Sequence, residues 1–171
     1  MKLILNIFII LFFSYSAFAD NIATVRLSYI LNNSNQFVIF LNQLEKIKTQ
    51  YFTELEKDEK ILNKRKSELE DSRFILSEEE FNILIEVFNK DTMNYKKKIE
   101  KYENILNENM ESNKRIVLKK ISEIVGALSE SNGYELVINE DQYFLASNKL
   151  DISDIIIDIL NKEKLNLNIA Q

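Results

Sequence analysis

From Asn35 to Asn132 the chain contains no proline and one glycine, Gly126, and its charges are broken by evenly spaced apolar residues. Proline would remove a backbone donor and clash with the preceding turn, and each glycine would weaken a helix. A stretch this long without them is free to form helices far longer than a globular core requires. It dictates an arm rather than a ball.

Heptad counting from Leu41 places Leu41, Lys48, Leu55, Leu62 and Leu69 on one seam position and Leu44, Tyr51, Asp58 and Arg65 on the other. The helical pattern lapses over 71–76. Ser77-Glu78-Glu79-Glu80 then forms a capping box whose acids suit the positive end of a new helix. In that helix Phe81, Phe88, Tyr95 and Tyr102 recur every seven residues, with Ile85, Thr92, Ile99 and Leu106 interleaved. Two such seams joined by a short connection fold back as an antiparallel hairpin, about 50 Å long at the rise of an α-helix. Asn109 and Asn113 weaken the second seam. Apolar spacing resumes at Ile116, Val117, Ile121, Ile124, Val125 and Leu128, and Asn132-Gly133 ends the helix with a left-handed cap.

The flanks change character. Ile22 to Leu27 alternates apolar and polar residues, which predicts a half-buried strand, and Ser28 can cap a short helical turn through Tyr29, Ile30 and Leu31. Asn32-Asn33-Ser34-Asn35 then breaks the pattern. Beyond Gly133, Tyr134–Ile138 and Tyr143–Ala146 read as two strands of a hairpin joined by the polar turn Asn139-Glu140-Asp141-Gln142. Asp151 can cap a last helix from Ile152 to about Asn161, and Lys162 to Gln171 is expected to fray.

The first nineteen residues read as a secretory signal. Lys2 gives a basic start, the run from Leu3 to Phe13 is apolar apart from Asn6, and Ala17-Phe18-Ala19 supplies a small-x-small cleavage pattern before Asp20. That apolar run is too short to span a bilayer. The expected mature chain begins at Asp20 and carries 21 basic and 27 acidic side chains. Such a balance argues against a nucleic-acid partner.

Cysteine and histidine are both absent. Disulfides cannot stabilise the fold, and the usual neutral-pH general base, the commonest metal ligand and a Ser-His triad are all missing. No Gly-rich phosphate loop, CxxC or HExxH motif occurs. Asp151, Asp154 and Asp158 come nearest to a metal or acid-base cluster. A calcium loop needs six to eight oxygens and a turn glycine, so these residues read as a cap and a solvated face. No enzyme and no cofactor is expected.

The expected organisation is a signal peptide at 1–19, a body from 20–44 and 116–171 with strands at 22–27, 134–138 and 143–146, and an arm at 45–115 with its tip near 72–77. Without the arm, about eighty residues remain to build a core. Three short strands also leave open edges. Self-association is the simplest remedy, with Ile22, Val25, Leu27, Leu136, Ile138 and Phe144 as strand residues of a shared barrel. The fold class is α+β and predominantly helical: a long antiparallel hairpin arm projecting from a small β-barrel body formed by oligomerisation.

The two ends carry a family resemblance. Ile22-Ala23-Thr24-Val25 leading into Ser28-Tyr29-Ile30-Leu31, Tyr134 to Asn139, Tyr143-Phe144-Leu145-Ala146-Ser147 and Leu150 to Leu160 together resemble the Skp/OmpH family of periplasmic chaperones. The order of elements matches along the whole mature chain, residue by residue only at the ends. The resemblance implies a homotrimer with a small central barrel and three helical arms around a cavity. It also implies ATP-independent holding of unfolded outer-membrane proteins in the periplasm, with transient membrane-surface contact.

One departure stands out. The best-known members of that family are strongly basic, whereas residues 45–115 here hold 15 basic and 17 acidic side chains. Purely electrostatic capture is therefore in doubt. The basic clusters Lys64-Arg65-Lys66 and Lys96-Lys97-Lys98 with Lys101 could touch clients or membrane. A solvated face balanced by neighbouring Glu fits mixed-charge helices better. For client contact the candidates are Phe52 and Phe74 first, then Tyr51, Phe81, Phe88, Tyr95 and Tyr102, because a two-helix arm has no large core in which to hide rings. The alternative is a structural coiled-coil spacer or adaptor of the cell envelope. A spacer should keep its seam apolar, and this seam fails at Lys48, Asp58, Arg65, Asn109 and Asn113.

Overall fold

The structure is a computed structural model that describes residues 22–170. The signal-cleavage residues Ala17, Ala19 and Asp20 lie outside the described residues. In chain order the elements are β1 (Ile22–Val25), α1 (Leu27–Asn33), α2 (Asn35–Ser72), α3 (Glu78–Asn132), β2 (Leu136–Asn139) and α4 (Ser153–Leu160), with short 3-10 turns at Glu140–Gln142 and Asn148–Leu150. The described residues are predominantly helical with one small two-stranded sheet. No helix among the described residues is long and apolar enough to cross a membrane. The chain divides into two compact units, one of 22–38 with Val117–Leu165 and one of Ile39–Ile116 with 166–170.

In the first unit β1 and β2 pair in parallel, Ile22 opposite Leu136 and Val25 opposite Asn139. Parallel pairing requires a long connection between the strands, and the three helices between β1 and β2 supply it. Ala23, Thr24 and Val25 are all buried, so β1 is covered on both faces instead of alternating as expected. Its other edge meets the segment before α4: Thr24 bridges Asp151, and the Ile152 amide donates to the Thr24 carbonyl at 3.0 Å. The core adds Ile30 and Phe37, then Val117, Ile121 and Ile124 on one face of α3, and Ile152, Ile156 and Leu160 at and along α4. Both of these series run at helical spacing, which is how each helix presents one apolar stripe.

Three strand expectations are corrected. Leu27 opens helix α1 rather than ending β1. Its amide donates to Asn139 Oδ1 at 3.3 Å and the Ser28 amide donates to Glu140 Oε1 at 3.1 Å, so residues over a hundred positions away supply the cap expected of Ser28. Tyr143–Ala146 forms no strand, and Phe144 is therefore not a strand residue. Phe144 and Leu145 are adjacent yet both almost fully exposed, whereas a strand would send them to opposite faces. The expected hairpin gives way to the 3-10 turn at Glu140–Gln142, and β2 spans Leu136–Asn139 rather than 134–138.

Local signals at the helix ends hold. The Ser77 amide donates to Glu80 Oε2 at 3.1 Å and the Glu80 amide donates to Ser77 Oγ at 3.4 Å, which completes the capping box of α3. The Ser77 hydroxyl, which donates to Glu80 Oε2 at 2.6 Å, and then the Ser77 amide both favour the ionised carboxyl, so Glu80 titrates below its ordinary range. At the other end Gly133 takes φ +73°, and the Gly133 and Tyr134 amides both donate to the Ser129 carbonyl. That left-handed turn is where glycine is needed.

Asp151 is only partly the cap expected of it. Its Oδ1 accepts from the Ser153 amide at 2.9 Å, and its Oδ2 accepts from Arg26 Nε at 2.7 Å. Ser153 Oγ in turn accepts from the Arg26 amide at 2.8 Å. Burial raises the Asp151 pKa, but the Ser153 bonds and the Arg26 guanidinium together outweigh it and hold the carboxyl below its ordinary range. Asp154 and Asp158 are exposed on α4.

Candidate functional site

In the second unit α2 and α3 run antiparallel with one seam between them. The half-buried positions on α2 include Leu41, Tyr51, Leu55, Asp58, Leu62 and Leu69. On α3 they include Phe81, Ile85, Phe88, Tyr95, Ile99 and Tyr102. The heptads counted from sequence thus face each other, and none of these rings reaches full burial because two helices alone cannot enclose them.

Charged seam positions that look like failures in the sequence are paired across it. Lys98 Nζ donates to Asp58 Oδ2 at 2.7 Å and lies 3.4 Å from Glu54 Oε2, and Arg65 pairs with Asp91. Tyr51 and Tyr102 stack with ring centroids 3.8 Å apart and an interplanar angle of 4°. Tyr102 Oη donates to Glu54, and Lys98 sits 5.6 Å from the Tyr102 ring centre. The bond to Asp58 is the main reason that Lys98 holds its proton far above the ordinary lysine range. The bonds from Tyr102 and then Lys98 hold Glu54 low. Lys48 makes no such crossing; it pairs with Glu45 on its own helix at 3.2 Å. Beside it α2 and α3 leave a groove of about 630 Å³, lined among others by Leu41, Leu44, Lys48, Leu106 and Met110.

The candidate contact residues separate into two groups. Phe52 is 71% exposed and Phe74 90%, so both rings stand in solvent. Tyr51, Phe81, Phe88, Tyr95 and Tyr102 lie half-buried along the seam. Sequence reasoning passed over Ile75, Ile61, Ile83, Val87 and Met93, all of them at least half exposed on the hairpin. Their signal was available, since each lies off the heptad positions. The basic clusters divide similarly: Lys98 and Arg65 turn into the seam and Lys64 pairs with Glu68 at 3.5 Å, while Lys66, Lys96, Lys97 and Lys101 are exposed.

Asn109 and Asn113 are the most buried polar residues of this unit, at 4% and 2% exposure. Instead of weakening the seam, each holds the chain end that was expected to fray. Asn113 Oδ1 accepts from the Asn168 amide at 2.9 Å, and Asn113 Nδ2 donates to the Asn168 carbonyl at 2.8 Å. Asn109 treats Ala170 identically, at 2.7 Å and 2.8 Å. The remaining donor on each amide goes to the helix carbonyl one turn back, Ile105 for Asn109 and Asn109 for Asn113.

Residues 21–160 match the family model for outer membrane protein (OmpH-like). The fold is similar to the crystal structure of a Caulobacter crescentus protein provisionally described as an OmpH-like outer membrane chaperone. The TM-score is 0.72 at 11% identity, covering 86% of this chain and 88% of that one. No curated protein sequence matches significantly. By the extent of the family match, which takes in both helices of the hairpin and both strands, the chain belongs to the OmpH-like outer membrane protein family.

Proposed function

We propose that this protein is an ATP-independent holdase of the periplasm. It is exported by its N-terminal segment and encloses unfolded outer-membrane proteins between helical hairpins until they insert. The observation that carries this reading is the outer surface of the hairpin, where Phe52, Ile61, Phe74, Ile75, Ile83 and Met93 are exposed although the seam had room only for other residues. Scattered apolar groups on a stiff two-helix element offer many weak contacts to an unfolded chain and no deep pocket to select one ligand. Near-balanced charge does not commit the hairpin to one sign of client.

Self-association completes the proposal. The sheet has two strands, its terminal pair Ile22 and Leu136 is about half exposed on both sides, and Phe144 and Leu145 stand in solvent nearby in sequence. An isolated two-stranded sheet is marginal in water. A homotrimer whose sheets share one barrel would cover these groups and present three hairpins to one client.

The test dilutes a urea-denatured outer-membrane barrel protein into buffer containing the purified chain and no ATP, with turbidity and light-scattering mass followed together. Suppressed turbidity with a chain-to-client complex of defined mass is expected. Unchanged turbidity from a monomeric chain refutes the reading.

A further inference from the structure

The C-terminal residues are not an ordinary frayed end, because side chains rather than secondary structure bind their backbone. Asn109 and Asn113 are four residues apart on α3, a rise of about 6 Å. Asn168 and Ala170 are two apart on a chain whose extended rise would be about 6.6 Å. The two spacings match, so one helix turn reads alternate residues of an extended segment. Each amide makes a two-point contact with one residue's N–H and C=O, contacts that every residue except proline can offer. The back-bonds to Ile105 and Asn109 carbonyls fix which end of each amide donates, so the clamp is set before anything enters it.

The occupant has a pattern as well. Leu165-Asn166-Leu167-Asn168-Ile169 alternates apolar and polar residues, with Leu167 and Ile169 half-buried and Asn166, Asn168 and the following Ala170 exposed. Period-two alternation suits any strand with one apolar face, and the strands of transmembrane β-barrels carry it over about ten residues each. A backbone clamp with alternate apolar positions is suited to that class of segment whatever its exact residues, as in other modes of strand recognition.

We propose that Asn109 and Asn113 form a binding site for an extended polypeptide of alternating apolar and polar residues. The tail at 166–170 fills it in cis, and a segment of an unfolded barrel protein replaces the tail. The identity of the replacing segment rests on the holdase reading; the site itself does not. The segment at 166–170 keeps two buried amides satisfied while no client is present, and it leaves by breaking four hydrogen bonds.

The test uses the full chain with Asn168→Pro and Ala170→Pro, which remove both tail N–H donors and leave α3 untouched. The probe is a fluorescent synthetic peptide of the sequence Leu165 to Gln171, read by anisotropy. The proline variant should bind it at least about tenfold more tightly than the wild-type chain, whose site is filled. Adding Asn109→Ala and Asn113→Ala should return binding to the wild-type level. A probe N-methylated at the amides of its residues 168 and 170 should fail to bind the proline variant, which decides the question even if the alanine variant folds poorly. Urea-denatured barrel protein should displace the probe. Equal binding to wild type and proline variant, or binding indifferent to N-methylation, overturns the site. A bound probe that denatured barrel protein cannot displace overturns the assigned occupant. Probe binding requires no holding activity, so turbidity suppression by the wild-type chain reports separately on the holdase reading.

Discussion

Replacing Phe52, Phe74 and Ile75 together by serine should separate holding from folding. The three side chains are 71%, 90% and 82% exposed, so almost none of their area is removed from water by the fold itself. Their loss should change unfolding free energy by no more than about 0.5 kcal/mol per site, the ordinary range for surface substitutions. Against a client the balance reverses. Full burial of a large apolar side chain is worth about 1.5–3 kcal/mol, and half-burial against a mobile chain about 1 kcal/mol. Three such contacts amount to about 3 kcal/mol, or about a hundredfold in affinity. The assay is anisotropy of a fluorescently labelled, urea-denatured barrel protein titrated with each chain, with thermal unfolding of both chains followed by circular dichroism. Unaltered melting with affinity reduced by more than about tenfold supports the reasoning. Affinity within a factor of about two of wild type, at unaltered melting, refutes it.

Other expectations follow from the seam and the first unit. Tyr102→Phe keeps the stack on Tyr51 and loses the bond to Glu54, whereas Tyr102→Ala loses both. Urea unfolding should show the alanine variant less stable by about 2 kcal/mol and the phenylalanine variant by less than about 1 kcal/mol. The Asp151 carboxyl is held below its ordinary 3.8, so its contribution is present above that pH and is lost as pH falls through the lower folded-state value. The stability gap between wild type and Asp151→Asn, measured by urea titration at a series of pH values, should therefore be widest near neutrality and close on acidification below 3.8. Since residues 45–115 carry 15 basic and 17 acidic groups, client affinity should change by less than about threefold from low salt to roughly 0.5 M, and a steep fall would reinstate charge capture.

Much of the hairpin is legible in the sequence because its causes are local. The aromatic heptad from Phe81 to Tyr102, the Ser77 to Glu80 capping box and the Gly133 cap each depend on residues within a turn or two, and the structure shows them where spacing predicts. What sequence reading missed is long-range. Nothing near Leu27 announces that Asn139 will cap its helix, and alternation alone could not tell that Ala23, Thr24 and Val25 would be covered on both faces. Tyr143–Ala146 has strand composition but no regular strand forms there, so propensity was overridden by the chain's path. Asp58 and Arg65 look like defects in a list of seam residues and become sensible only beside Lys98 and Asp91. Asn109 and Asn113 mislead similarly: two polar residues four apart on a seam are a weakness until an extended segment lies against them.

Excising Leu55 to Tyr95 and joining Glu54 to Lys96 by a short Gly-Ser turn tests the central claim most directly, since it removes most of the exposed apolar hairpin surface and leaves β1, β2 and α4 intact. Sedimentation of the shortened chain should give the same number of subunits as the full chain, and it should no longer suppress aggregation of denatured barrel protein. A shortened chain that still holds its client at wild-type efficiency would contradict the account.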